Sequence, residues 1–90
     1  MELRIPAVQS LKQKRRRVKG LVAGLRKEFP VGVAEVDYQD LWQRTTLGVV
    51  AVAPQAGQLE RLLHSVERYL RHDGNFEVLE IGVAYLEEGR

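Results

Sequence analysis

Apolar positions recur with two different periods along the chain, and the changes between them mark out the elements. Residues 2–5 alternate charged and apolar side chains with period two, which predicts a short first strand. Pro6 ends it, because proline has no N–H to donate to a ladder. From Ser10 the period lengthens. Leu11, Val18, Leu21, Val22, Leu25 and Phe29 fall within a narrow arc at 100° per residue, so residues 10–28 read as the first helix, closed by Pro30. Ser10 with Gln13 three positions on has the form of a capping box. Residues 31–37 and 45–53 are rich in β-branched side chains and predict strands two and three. The polar stretch between them, 38–44, is too long for a tight hairpin turn and reads as a protruding loop. After Pro54, helical spacing returns at Leu59, Leu62, Leu63, Val66, Tyr69 and Leu70, with Glu67 and Arg71 set for an i,i+4 pair. This second helix stops near Asp73, Gly74 and Asn75. Residues 76–86 predict a long final strand, and 87–90 a frayed tail.

The order βαββαβ folds most naturally as a split βαβ sandwich. This is an α+β architecture with a four-stranded antiparallel sheet and two helices on one face, in a single domain spanning 1–90. In strand two, Val31, Val33 and Glu35 share a face, and the glutamate marks that face as the open one. The same logic puts Phe76, Val78 and Glu80 on the open face and packs Leu79, Ile81, Val83 and Tyr85 under the helices. An open face carrying four large apolar residues predicts a homodimer formed through it or through a sheet edge.

Charge changes this picture at one place. Residues 10–28 hold eight basic side chains against Glu28 alone, a segment charge of +7 in a chain whose net charge is +2, which leaves −5 for the remainder. A basic ridge on an acidic body steers polyanions to one face. Cations in the first helical turns also oppose the helix macrodipole, which favours anions there. Folding alone does not account for them, and a purely structural face would mix both signs. Lys12, Lys14, Arg15, Arg16, Arg17 and Lys19 are therefore candidate phosphate contacts; the bland reading is a solvated face whose arginine stems cover the core edge.

The loop contains the chain's single tryptophan. Trp42 stacking on a base with Arg44 gripping a phosphate is one reading of it. Trp42 folded back as a core plug, with Asp37 or Asp40 orienting Arg44, is the other. Enzymatic readings fail. Gly20 and Gly24 sit inside a helix, where small residues serve close packing, and no phosphate-loop or dinucleotide fingerprint exists. His64 and His72 lack a third ligand, so no metal and no cofactor is expected; His72 reads as a cation at a helix C-terminus. With no cysteine, thiolate metal sites and cysteine nucleophiles are excluded, and a reducing cytoplasm is the expected compartment. No apolar run is long enough to span a bilayer, so no membrane partner is expected.

The runs SLKQKRRRVKGL and VAEVDYQDLWQRTTLGVVAV carry a family resemblance. Ser10, Leu11, Lys12, Lys14, Arg15 and Arg16 in the helix, with Gln39, Asp40, Leu41, Trp42, Gln43 and Arg44 in the loop, resemble the motifs of the YlxP-like family of small bacterial proteins. The resemblance covers nearly the whole chain. It implies a ferredoxin-like fold and a domain of unknown function, whose genes in many bacteria lie near those for ribosome maturation and translation initiation factors. It supplies no catalytic residues. Members of that family carry several residues ahead of the position of Met1, which complete the first strand. That strand is central in such a sheet, so either a start codon upstream or a first strand cut to four or five residues is expected. The function expected is non-enzymatic RNA binding or ribosome association through the basic helix, with Trp42 and Arg44 as secondary contacts. The alternative is a homodimeric interaction or small-anion regulatory module without nucleic acid.

Overall fold

The helical period beginning at Ser10 is fixed by a reciprocal cap. Ser10 Oγ accepts the Gln13 amide at 3.1 Å, and Gln13 Oε1 accepts the Gln9 amide at 3.0 Å, satisfying two donors at the helix entrance. In the computed structural model, which describes residues 1–85, six elements follow in the expected order. They are β1 (Glu2–Arg4), α1 (Leu11–Glu28), β2 (Gly32–Asp37), β3 (Arg44–Val50), α2 (Ala56–His72) and β4 (Glu77–Glu80). The strands form one antiparallel sheet in the order β2-β3-β1-β4, the ferredoxin-like arrangement expected from the βαββαβ order.

Which face of the sheet meets the helices is opposite to the expectation. Leu3, Val33, Leu47 and Phe76 are buried with Leu21 and Leu25 of α1 and Val66 and Leu70 of α2, and Val31 and Val78 pack against this core. Leu79, Val83 and Tyr85, expected under the helices, are exposed instead, as is Val36. The inversion traces to Glu35. A charged residue on a strand face ordinarily marks that face as open, but the Glu35 carboxylate is held between the sheet and α1 by the buried Lys14. The open face instead carries charge at its centre. Arg4 and Arg44 stand opposite each other in the β1–β3 register, and each is neutralised across a strand, Arg4 by Glu77 and Arg44 by Glu2.

The strands are shorter than their patterns predict. β1 has three residues, fewer than the four or five expected. β3 ends at Val50 rather than at 53, and β4 at Glu80; residues 81–85 follow outside any ladder, and Leu86 with the predicted tail lies outside the described residues. The i,i+4 pair of Glu67 and Arg71 is present at 2.9 Å, and His72 Nδ1 lies 2.8 Å from the Arg68 carbonyl oxygen in the last turn of α2. No helix among the described residues is long and apolar enough to cross a membrane.

Gly24 sets the approach of the two helices. A Cβ built there would stand 2.5 Å from the Tyr69 hydroxyl, whereas one at Gly20 would meet nothing within 4 Å. Tyr69 in turn packs edge-to-face on Phe29 at 5.7 Å. Gly24→Ala should destabilise the fold, an overpacking cost of about 1–3 kcal/mol as the Tyr69 ring is displaced outweighing the entropy gain of alanine. Gly20→Ala should stabilise it by about 0.5–1 kcal/mol by lowering unfolded-chain entropy. Urea melts of the two variants against the parent test this pairing of signs.

Candidate nucleic-acid interface

The six predicted phosphate ligands of α1 divide into two groups. At 100° per residue Lys12, Arg15, Arg16 and Lys19 fall within an arc of about 100° on the outward side. All four are exposed, and none forms an ion pair or hydrogen bond among the described residues. Arg26 and Lys27 extend the same side toward the C-terminus. By the 1.5 Å rise, the ridge from Lys12 to Lys27 is about 22 Å long. No acid occupies the first turn. Between this ridge and the outer edge of β2 runs a groove of ≈ 620 Å³, with Val18, Val22 and Val33 along its floor and the cations on its rim. Arg26 donates across it to the Val33 carbonyl at 2.6 Å. Because β2 is an edge strand, this ties the helix to the sheet margin.

Lys14 is a correction. It is 0% exposed, and its ammonium spends all three protons inside the protein: on Glu35 Oε2 at 2.6 Å, the Tyr38 carbonyl at 2.8 Å and the Gln39 carbonyl at 3.1 Å. The same Glu35 oxygen accepts the Thr45 hydroxyl at 2.5 Å. A buried ammonium without partners is prohibitively costly, and here every donor is matched. It cannot reach a phosphate. Arg17 is half-buried and donates to the Pro6 carbonyl at 3.0 Å, holding the corner between β1 and α1.

The loop is built on that lock. Tyr38 has φ 59°, a left-handed conformation costly for a residue with a bulky side chain. Lys14 grips its carbonyl, Asp37 Oδ1 accepts its amide at 2.8 Å, and Arg44 lies over its ring at 5.0 Å. Arg44 is thus held by Tyr38 and by Glu2 rather than by Asp37 or Asp40. Its Nε has no partner among the described residues. The core-plug reading of Trp42 fails: Trp42 and Leu41 are each 49% exposed, side by side at the loop tip.

Residues 1–83 match the family described as "Protein of unknown function (DUF503)". The chain belongs to this family. It is 38% identical over 61 residues to the "Uncharacterized protein YlxP" of Bacillus subtilis (strain 168), a stretch that spans 68% of this chain and 66% of that protein. In this DUF503 chain the two resembling motifs are in physical contact, because Lys14 of the helix motif clasps Gln39 of the loop motif.

Sequence reasoning missed the roles of Glu35 and Thr45, although a signal was present. Lys14 sits three residues after Leu11 and four before Val18, the spacing of the buried stripe itself. A lone cation in one apolar stripe and a lone carboxylate in another are the mark of a buried pair between the two elements. Lys14→Met should therefore cost about 3–5 kcal/mol, because Glu35 is left without its cation. Adding Glu35→Leu should cost less than the sum of the two single changes. Urea denaturation measures the coupling, and faster amide exchange at residues 38–43 in Lys14→Met would report the released loop.

Proposed function

We propose that this protein is a non-enzymatic, cytoplasmic RNA-binding protein that engages structured RNA, such as that of a ribosomal particle, through the outward face of α1. The observation that supports it is the set Lys12, Arg15, Arg16 and Lys19: four exposed cations on one face of the N-terminal half of α1, unpaired among the described residues, with Lys12 in the first turn where the macrodipole disfavours a cation. Such a face earns its place by neutralising phosphates. Lysine and arginine side chains released from intramolecular duty displace counterions from the RNA backbone, so affinity is carried by salt-sensitive, sequence-independent contacts. Trp42 adds a stacking surface on a loop that Lys14 holds to the beginning of the same helix. Arg17 and Arg44 are engaged within the fold, on the Pro6 carbonyl and on Glu2, and stand outside the proposed contact set.

A second reading, a homodimer across the open sheet face, draws on the exposure of Val36, Val50 and Leu79 around its charged centre. Light scattering after size exclusion should then give a mass of two chains, reduced to one by Val50→Lys.

For the leading reading, a labelled structured RNA titrated over a salt series should show log affinity falling linearly with log salt. Arg15→Glu with Arg16→Glu should lower affinity at least tenfold and flatten the salt slope by about two. Trp42→Ala should weaken binding by about 1–3 kcal/mol with the slope unchanged. Salt-independent binding, or full affinity in the charge-reversed protein, would overturn the assignment to α1.

A further inference from the structure

The charged stripe on α1 is interrupted at one place. Lys12, Arg15, Lys19, Val22 and Arg26 follow one another at intervals of three or four residues, so they line up along the helix, and Val22 is the one apolar member of the set. It is half-buried and lies with the buried Val18 and Val33 along the floor of the ≈ 620 Å³ groove between α1 and β2. Of the residues that line this groove only Glu35 is acidic, and its carboxylate is neutralised by Lys14 at 2.6 Å. An apolar floor therefore meets a rim of net positive charge.

The far wall is the outer edge of the sheet, and it offers mainly donors. Leu47 exchanges backbone hydrogen bonds with Met1 on the β1 side of β3, so by the alternation of an antiparallel ladder its neighbours Thr46 and Gly48 bond toward β2. Gly48 stands opposite Ala34, which turns the backbone groups of Val33 and Glu35 outward. Their carbonyls already accept from side chains, Val33 from Arg26 at 2.6 Å and Glu35 from Gln39 at 3.4 Å. Their amides have no partner among the described residues. An added peptide strand brings amides as well as carbonyls and would find its amides poorly matched here. The ligand that fits this edge carries negative charge, a flat apolar body and acceptor atoms at its margin.

Resting on the assignment of α1 as an RNA-binding ridge, we infer that the groove seats the base of one unpaired nucleotide, so that the RNA engaged is a helix interrupted by a bulge. The phosphates on either side of that nucleotide lie on Arg15 and Lys19, the face of the base lies on Val22, and an acceptor on its edge meets an outward amide of β2. A base paired within a duplex cannot enter, because its faces are covered by its neighbours; an extruded one presents both a face and an edge. The ridge then supplies affinity for any phosphate backbone, and the groove supplies the preference for a backbone with a base turned out of the stack.

The test is anisotropy of three labelled RNA hairpins with the same stem, one fully paired, one with a single bulged uridine and one with an abasic residue in the bulge, each titrated with the full chain at one salt concentration. The uridine hairpin should bind about tenfold tighter than the other two, the worth of burying roughly 60 Å² of apolar base surface. Val22→Gln, which makes the floor polar without adding charge, should remove that preference and leave affinity for the paired hairpin unchanged; Val22→Ser provides a second variant should the first not fold by circular dichroism. Arg15→Glu with Arg16→Glu should weaken all three hairpins alike. Equal binding of the three hairpins with salt sensitivity intact, or a uridine preference that survives both Val22 variants, overturns the groove assignment and leaves the ridge standing. A bulge preference shared by the abasic hairpin overturns it as well, because backbone flexibility and not a base is then being read. No binding of any hairpin overturns ridge and groove together. Uridine monophosphate or hexaglutamate binding more tightly than the uridine hairpin overturns the inference by assigning the groove to a free nucleotide or to an acidic protein segment.

Discussion

The ammonium of Lys14 is the constraint around which the rest is arranged. A charge removed from water must find its full complement of partners, and an amine with three protons needs three acceptors in fixed directions. Supplying them brings a carboxylate from β2 and two carbonyls from the following loop to one point under α1. The sheet faces the way it does because Glu35 must look inward. Val33, two residues earlier on the same strand, then falls into the core. The left-handed turn at Tyr38 follows as well, since its carbonyl must point back at the helix. Thr45 closes the arrangement from β3, so one buried cation joins a helix, two strands and a loop.

This division of labour clarifies the unusual basic density of α1. Eight cations in one helical segment look uniform when written in a row, but the fold assigns them different tasks. Lys14 is structural and invisible to solvent, Arg17 and Arg26 tie the helix to the β1 corner and the sheet margin, and the outward set is left exposed. The electrostatic field presented to a partner therefore comes from fewer residues than composition suggests, and from a narrower stripe.

Element types and order were legible because each depends on local periodicity and punctuation: the cap at Ser10, the prolines at 6, 30 and 54, and the return to helical spacing from Leu59. The family resemblance rested on contiguous motifs and was likewise readable. Facing direction was not. A strand with apolar side chains on both faces, such as Val33 against Val36 or Val78 against Leu79, has no alternation from which to choose a side, and the one polar residue used as an arbiter was half of a buried pair. Strand ends were misjudged for a related reason: 51–53 and 81–85 have strand-like sequences, yet a strand exists only where a neighbour supplies the ladder. In the candidate site, the sequence puts Trp42 on the loop but does not choose between core and surface, since nothing local to a loop tells which way its aromatic residue turns.

The Gly24–Tyr69 contact has a bearing on recognition. Lys14 and Gly24 are ten residues apart, about 15 Å along α1. One is held by the sheet and loop, the other by α2. A cylinder gripped at two separated points on its inner side can neither roll about its axis nor slide along it. The four outward cations are therefore carried on a backbone whose orientation is settled before any partner arrives, so the helix itself gives up no rotational freedom on contact and only the side-chain stems remain to be ordered.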